Sequence, residues 1–136
     1  MTKLNSYLSL IRFYNPIGFW LLLWPGLWGL FLSDNFNIEN FTIVVLGSFL
    51  TRSLGCAIND FLDRDFDKSV ERTKNRPIAS KELSLSEAGI FIILLASLCL
   101  FLLMQTNPYT IKLVSYIAIP MIILYPLMKR FLAMPQ

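Results

Sequence analysis

Long apolar runs alternate with short polar segments along the whole chain. Four of these runs extend over residues 14–32, 41–62, 88–104 and 111–128. At about 1.5 Å of rise per residue, α-helices of these lengths cross or nearly cross a hydrocarbon core about 30 Å thick. Helices joined by short connections pack as antiparallel neighbours. The pattern therefore predicts an all-α fold, a polytopic membrane helix bundle with about four transmembrane helices, in which residues 1–136 form a single transmembrane domain.

The longest polar segment, residues 63–87, separates the second apolar run from the third. It carries a set of basic residues: Arg64, Lys68, Arg72, Lys74, Arg76 and Lys81. Because basic residues concentrate in the cytoplasmic loops of membrane proteins, we expect a cytoplasmic loop here. Four spans then place both termini in the cytoplasm, and the inner membrane of a bacterium is the expected location. Ser84 followed by Glu87 is typical of a helix start and predicts where the third span begins.

The composition narrows the functional class. Hydrophobic residues make up 55% of the chain and charged residues only 15%, which is too little charge for an ordinary soluble domain. The formal net charge of +3 could indicate nucleic-acid binding, but most basic residues lie in one loop and at the ends of apolar runs, where membrane topology accounts for them. The sequence thus predicts an integral membrane protein in contact with lipid, and no nucleic-acid partner.

Polar chemistry concentrates at the end of the second apolar run. Five residues there are spaced to lie on one side of a continuous helix: Arg52, Asn59, Asp60, Asp63 and Asp67. Ionisable groups at membrane depth indicate a functional site. Neighbouring carboxylates repel one another, and a shared divalent cation removes that repulsion. Oxygen ligands suit a hard cation, and Mg²⁺ in particular binds one or two carboxylates together with phosphate oxygens.

These residues therefore predict a site for a magnesium diphosphate. The candidate Mg²⁺ ligands are Asn59, Asp60, Asp63 and Asp67, of which Asp60 and Asp63 are also the candidate catalytic residues. The candidate diphosphate contacts are three cations of the following loop: Arg72, Lys74 and Arg76. Asp65 falls off the shared face, and we expect it to be solvated. A simpler alternative is a charged helix end at the membrane surface, whose aspartates pair with loop lysines and arginines.

The same stretch resembles a known family of membrane enzymes. The residues that carry the resemblance are Arg52, Gly55-Cys56, Asn59-Asp60-x-x-Asp63-x-x-x-Asp67 and Arg72-Thr73-x-x-Arg76-Pro77. Together they are similar to the first aspartate-rich motif of the UbiA superfamily of intramembrane prenyltransferases. Other features resemble the branch of that family that acts on 4-hydroxybenzoate: Pro16-Ile17-Gly18, Leu23-Trp24-Pro25 with Trp28, and Tyr125-Pro126 with Lys129-Arg130.

The resemblance implies a Mg²⁺-dependent polyprenyltransferase of ubiquinone biosynthesis, whose substrates are a polyprenyl diphosphate and 4-hydroxybenzoate. It also implies a fold of about nine helices, with a second aspartate-rich motif on a later helix. The chain carries only the first motif, so we expect the first half of that fold, an incomplete enzyme for which a missing C-terminal half is a candidate partner. In such an enzyme Arg52 pairs with an aspartate or meets the carboxylate of the aromatic substrate, and we favour the pairing.

Two alternatives to this function remain open. Another UbiA-type transferase, of the menaquinone or haem branch, would share the aspartate motif but should lack the features Pro16-Ile17-Gly18 and Trp24-Pro25. A non-enzymatic four-helix membrane protein, such as a cation-binding module or the remnant of a larger enzyme, would bind magnesium diphosphate without transferring a prenyl group.

Overall fold

The structure is a computed structural model that describes residues 2–34, 36–121 and 124 of the chain. Within these ranges all regular elements are helices, which confirms the all-α prediction. The α-helices are α1 (Lys3–Leu10), α2 (Ile17–Leu32), α3 (Ile38–Leu62), α4 (Arg64–Asp67), α5 (Leu85–Met104) and α6 (Pro108–Leu113). A π-helical segment, Val114–Ala118, follows α6. The chain divides into two units at the boundary between Leu100 and Phe101, inside α5.

Three helices begin three residues before the apolar runs that predict them, because polar residues cap their first turns. Asn37 caps α3 and Asn107 caps α6, and each side chain accepts a hydrogen bond from the backbone N–H three residues later, at 2.7 and 2.8 Å. At α5, Ser84 N donates to Glu87 Oε2 at 2.9 Å and Glu87 N donates to Ser84 Oγ at 3.2 Å. The predicted capping pair is therefore confirmed. Such caps satisfy backbone donors of the first turn, so the helix extends into polar sequence.

The first apolar helix instead begins three residues later than predicted. The backbone of Arg12 has a φ of 59°, in the left-handed region, and so interrupts the helical path between α1 and α2. Pro16, which has no N–H to donate, then precedes the first residue of α2. The helix continues through Pro25, and its 16 residues extend about 24 Å. By length and composition, α3 and α5 are long and apolar enough to cross a membrane, whereas α2 is a shorter apolar helix.

The sequence predicted one continuous helix through the aspartate-rich stretch, but the structure divides this stretch between two helices. The helix α3 ends at Leu62, Asp63 has φ of −91° and ψ of 6°, and α4 begins at Arg64. Even so, Asp63 N donates to Asn59 O at 2.9 Å and Asp67 N donates to Asp63 O at 2.8 Å. Because these bonds link residues four apart, the bend at Asp63 keeps the stretch close to a helical path.

The core of the first unit is built partly by the polar segment after α4. The buried cluster consists of Leu10, Ala57, Ile78, Leu83, Ala88 and Leu95. Ile78 and Leu83 thus bury apolar side chains of the predicted cytoplasmic loop against those of α3 and α5. The helix α1 is tied to the same region, since Ser6 Oγ donates to Glu82 Oε2 at 2.7 Å and Lys3 forms an ion pair with Glu87. The loop is therefore a folded part of the unit.

Much of the apolar surface of the helices remains exposed. In α2 the side chains of Trp20, Trp24 and Trp28 are each about half-exposed or more. Most of α5 is similarly uncovered, with large apolar side chains such as Ile90 and Phe101 on the surface. Contiguous apolar patches of this size are unusual on soluble monomers and suit contact with lipid.

In the second unit, α6 passes directly into the π-helical segment. That segment ends two residues before Pro120, which has no N–H to complete the α-helical hydrogen bond to the carbonyl of residue 116. The predicted features Tyr125-Pro126 and Lys129-Arg130 lie outside the described residues, as does most of the predicted end of the fourth span, residues 122–128.

Candidate functional site

A buried carboxylate, that of Asp60, lies at the centre of the site. It is in the last turn of α3 and is only 1% exposed. Arg12 Nη2 donates to Asp60 Oδ1 at 2.8 Å and to Asp60 Oδ2 at 2.9 Å. Arg76 Nη1 donates to Asp60 Oδ1 at 3.0 Å and to Asp67 Oδ2 at 2.8 Å. We call Arg12, Asp60, Asp67 and Arg76 the charge network.

The two arginines of the charge network come from segments that are far apart in sequence. Arg12 lies in the turn after α1, where its left-handed backbone is accompanied by a weak bond from its own Nη1 to Ser9 O at 3.4 Å. Arg76 lies in a series of tight turns after α4, which Thr73 stabilises by donating from Oγ1 to Asp67 O at 3.2 Å. The chain thus brings one cation to each side of Asp60.

The charges of the network balance, two guanidinium groups against two carboxylates. The side chains of Arg12 and Arg76 are each 23% exposed, so the pairs lie where water screens charge only weakly. Removing such groups from water is costly, and charge-assisted hydrogen bonds offset that cost only when they are well formed. All buried side-chain nitrogen and oxygen atoms in the described part of the chain have a hydrogen-bond partner. The network therefore satisfies itself without a ligand.

Two of the predicted metal ligands, Asn59 and Asp63, are outside this network. Asn59, Asp63 and Asp67 are four residues apart, and the backbone bonds given above place them on successive turns. Asn59 and Asp63 are half-buried, whereas Asp67 is buried against Arg76. No group of three or more histidine, cysteine, aspartate or glutamate side chains is placed to hold a metal ion in residues 2–34, 36–121 and 124.

Two carboxylates with one amide nevertheless fit one kind of cation. Mg²⁺ is commonly held by one or two carboxylates, and water and phosphate oxygens complete its coordination. Asn59, Asp63 and Asp67 supply one amide and two carboxylates on successive turns. The oxygens of Asp60 accept hydrogen bonds from both arginines, and Asp67 Oδ2 accepts one from Arg76. The donors therefore suit a magnesium ion that arrives with a diphosphate rather than one held by protein alone.

The remaining cations of the loop lie on the surface. Arg72 is exposed, and Lys74 forms an ion pair with Glu71. Asp65 is 72% exposed, as predicted, and it accepts a hydrogen bond from Lys68 Nζ at 2.8 Å. This hydrogen bond, together with the positive charge of Lys68, holds the pKa of Asp65 below its ordinary value. The sequence places these charges in the same motif as the charge network, but the structure separates the two sets.

The sequence favours a pairing of Arg52 with an aspartate of the motif, and this pairing stays a prediction. The carboxylate of Asp60 is held by Arg12 and Arg76. The guanidinium of Arg52 lies directly over Gly18 of α2, where a Cβ atom would overlap it. Arg52 also borders two cavities. One, of about 350 Å³, lies between the turn after α1, α2 and α3, and it is lined by Arg12 and by aromatic residues such as Phe19 and Phe49. The other, of about 380 Å³, includes Gly18 and Gly55.

Arg12 is the site residue that the sequence did not identify. It stands alone between apolar neighbours just before α2, and an isolated arginine at the edge of an apolar run was the available signal. That signal does not name a partner, since Arg12 and Asp60 are 48 residues apart.

Comparison with known proteins places the chain in a family. Residues 22–136 match the model of the UbiA prenyltransferase family. The chain is 45% identical over 136 residues to the 4-hydroxybenzoate octaprenyltransferase of Polynucleobacter asymbioticus, covering 98% of this chain and 47% of that protein. It is 49% identical over 134 residues to that of Polynucleobacter necessarius, with 96% and 46% covered. For the enzyme of Vesicomyosocius okutanii, the identity is 50% over 128 residues, with 93% and 46% covered.

The chain spans about half the length of the curated relatives it matches. No solved structure matches the chain significantly.

Proposed function

The chain belongs to the UbiA prenyltransferase family, and from this premise we propose that it provides the first aspartate-rich site of a 4-hydroxybenzoate polyprenyltransferase. Relatives with 43–50% identity over nearly the whole chain carry the name 4-hydroxybenzoate octaprenyltransferase. Because the chain spans about half of each of them, the transfer reaction is proposed for the protein that contains both halves. The features of α2 that resemble this branch support it over the menaquinone and haem branches.

The observation that carries the proposal is the position of Asp67. Its carboxylate accepts a hydrogen bond from Arg76 Nη1 at 2.8 Å, and it is the last of the three residues that suit a magnesium ion. A cation ligand and an arginine are therefore side by side, which is the arrangement that a metal-bound diphosphate requires. The alternative of a simple charged helix end would not need a buried carboxylate at this point.

In the proposed reaction, the C–O bond between the polyprenyl group and its diphosphate breaks, a C–C bond forms between the polyprenyl carbon and the ring of the aromatic acceptor, and that ring carbon releases a proton. The leaving diphosphate must be stabilised as the C–O bond breaks. Bound Mg²⁺ supplies Lewis-acid and charge stabilisation to the diphosphate oxygens. In our proposal Mg²⁺ would be held by neighbouring members of this set, Asn59 with Asp63 or Asp63 with Asp67, because Asn59 and Asp67 are about 12 Å apart along a helical path. Arg76, helped by Arg72 and Lys74 on the adjacent surface, adds preorganised positive charge toward the leaving group.

The aromatic acceptor is proposed to enter beside Arg52. In the cavity of about 350 Å³, two guanidinium groups lie among aromatic side chains, a combination that suits a small aromatic carboxylate. Because Arg12 is held by Asp60, Arg52 is the arginine that we assign to the acceptor carboxylate. Gly18 permits this position of Arg52, since any larger residue would occupy the place of the guanidinium.

The protein is an integral membrane protein by its family and its long apolar helices. We propose the orientation that the basic loop predicts, in which residues 63–87 and both termini face the cytoplasm of a bacterium and the protein lies in the inner membrane. The polyprenyl chain would then extend along exposed apolar surface of α2, in contact with lipid.

Binding of a short allylic diphosphate tests this function without requiring transfer. The purified chain in lipid nanodiscs is titrated with geranyl diphosphate, in Mg²⁺ and in EDTA. We expect binding in Mg²⁺ only, and we expect Asp63→Asn to weaken it about tenfold or more, since a charged ligand contact is lost. Asp65→Asn is the matched control and should leave affinity unchanged.

Equal binding in EDTA, or equal binding by Asp63→Asn, would contradict the proposal. Transfer to 4-hydroxybenzoate is then measured with the chain in the same nanodiscs, and 1,4-dihydroxynaphthoate serves as the competing acceptor. Binding without transfer to either acceptor would show that this chain alone is a binding module, as expected if transfer requires both halves.

A further inference from the structure

We propose that Asp60 is a positioning residue, whose buried carboxylate holds Arg76 beside Asp67 and does not itself ligate the metal ion. The inference rests on the proposed function only in taking the metal ion and the diphosphate as the ligands. It changes the role of one aspartate in the motif, because the sequence alone groups Asp60 with the metal ligands.

Both carboxylate oxygens of Asp60 are occupied by hydrogen bonds. Asp60 Oδ1 accepts hydrogen bonds from both Arg12 Nη2 and Arg76 Nη1, and Asp60 Oδ2 accepts one from Arg12 Nη2. With 1% exposure, the side chain has almost no contact with solvent through which a hydrated cation could approach. Two guanidinium groups at this distance also repel a divalent cation. The position suits an anion that anchors arginines.

The backbone of Arg12 directs its side chain toward Asp60. Its φ of 59° closes a Schellman cap at the end of α1, in which Phe13 N donates to Leu8 O at 2.9 Å and Arg12 N donates to Ser9 O at 3.0 Å. From this cap Arg12 Nη2 donates to both oxygens of Asp60, and Asp60 Oδ1 is shared with Arg76 Nη1. The carboxylate is therefore anchored by Arg12 while it still accepts a hydrogen bond from Arg76.

One nitrogen of Arg76 links the two buried carboxylates. The same atom, Nη1, donates to Asp60 Oδ1 at 3.0 Å and to Asp67 Oδ2 at 2.8 Å. If Asp67 turns toward a metal ion, the bond to Asp60 remains and keeps the guanidinium in place. The Nε and Nη2 donors of Arg76 can then face the diphosphate. Asp60 thus fixes the direction of Arg76 in both the free and the loaded site.

The test is the chemical reactivity of Arg76, which does not require activity. The chain in nanodiscs is treated with phenylglyoxal, and mass spectrometry gives the modification rate at each arginine, with exposed Arg72 as the internal reference. We expect Asp60→Asn to raise the Arg76 rate relative to Arg72 about tenfold, because a charge-assisted hydrogen bond that restrains Arg76 is lost. Asp65→Asn makes the same chemical change outside the charge network and should not alter the ratio.

Arg12→Gln separates positioning from a general loss of structure. Asp60 still accepts from Arg76 in that variant, so Arg76 should stay as slow as in the unchanged chain. If Asp60→Asn does not retain its helix content by circular dichroism, the charge-balanced pair Asp60→Asn with Arg12→Gln replaces it and should release Arg76 to the same extent. An unchanged Arg76 rate in a folded Asp60 variant, or equal release by Arg12→Gln alone, would overturn the inference.

The same measurement distinguishes this inference from the proposed function. Mg²⁺ with inorganic diphosphate should slow modification of Arg76 in the unchanged chain, and neither component alone should do so. Asp60→Asn should retain protection that requires Mg²⁺, at higher diphosphate concentration, whereas Asp63→Asn should lose the Mg²⁺ requirement. Absence of protection in the unchanged chain would count against the proposed function. The effect of Asp60→Asn on the Arg76 rate without ligand would still test the positioning role independently.

Discussion

Three of the four residues of the charge network, Asp60, Asp67 and Arg76, come from the same short stretch of sequence as two surface ion pairs, yet the network and the pairs differ in burial. In the network, Asp60 and Asp67 share Arg76, and Arg12 closes the other side of Asp60. On the surface, Asp65 pairs with Lys68 and Glu71 pairs with Lys74, each through neighbours three residues apart. Exposed pairs of the second kind contribute little to stability, whereas breaking a buried pair leaves an uncompensated charge. Similar ion pairs thus contribute differently to stability according to how deeply they are buried.

Removal of Arg76 should cause the largest loss of stability, and it should distinguish the buried charge network from the surface ion pairs most clearly. Arg76→Met leaves both Asp60 and Asp67 without a common cation, and we expect a loss of about 3–5 kcal/mol in the free energy of unfolding. The measurement is helix content during SDS unfolding of the chain from mixed micelles. Arg72→Met is the matched control on the exposed side of the loop, and its effect should be below about 0.5 kcal/mol. Equal losses in the two variants would show that burial does not distinguish the regions.

The capping pair at α5, Ser84 and Glu87, tests whether an exposed contact can also contribute to stability. It is exposed, yet it provides hydrogen-bond acceptors for backbone N–H groups at the start of the helix. Ser84→Ala removes the acceptor for Glu87 N, and we expect it to cost about 1 kcal/mol of stability. Ser86→Ala, two residues later in the same turn, is the control and should be close to neutral. The same SDS titration measures both. If the two variants behaved alike, exposure alone would set the size of an effect in this part of the chain.

Gly18 and Gly29 make a similar contrast within α2. A Cβ at Gly18 would overlap the guanidinium of Arg52, whereas no atom lies within 4 Å of one added at Gly29 in the described residues. Because the end of the Arg52 side chain can shift, we expect Gly18→Ala to change stability by less than about 1 kcal/mol and Gly29→Ala to be neutral or slightly stabilising. The difference should appear in binding, measured by 4-hydroxybenzoate titration, which only Gly18→Ala weakens.

The smallest effect is expected at Asp65. Its pKa is lowered in the folded state, so its contribution to stability is present above the unfolded value of about 4 and is lost as the pH falls through the lowered pKa. Carboxyl ¹³C chemical shifts give that pKa directly. Lys68→Gln should raise it toward the ordinary value, and so should about 0.5 M salt, because the pair is exposed to screening. A pKa insensitive to both would mean that Lys68 does not cause the shift.

The order of helices could be predicted because apolar runs are local. The same dependence on apolar runs explains why α3 and α6 begin three residues before the predicted positions. Asn37 and Asn107 cap these helices, and as polar residues they lie outside the apolar runs. Burial of Ile78 and Leu83 was not predictable in this way, because two apolar residues in a basic segment give no periodic pattern. They are buried by helices on both sides of the loop in sequence.

The candidate site was predicted in part. Spacing identified the acidic residues of the motif, and it indicated Arg76 as a cation near them. Spacing could not assign different roles to Asp60 and Asp63, because the bend at Asp63 and the contact between Arg12 and Asp60 depend on tertiary structure. Arg12 joins the network across 48 residues, and no local pattern specifies such a partner. Chemistry can therefore be predicted by residue type, while the role of each residue requires the fold.

The contacts of α1 set an order of events during synthesis. Ser6 bonds Glu82, 76 residues later, and Lys3 pairs with Glu87, 84 residues later. None of these partners has left the ribosome when α2 and α3 emerge, because all of them follow α3 in the chain. The contacts of α1, and the meeting of Arg12 with Arg76 on Asp60, can therefore form only after the loop that follows α4 has emerged. The site is thus assembled late in the synthesis of this segment, after the helices α2 and α3.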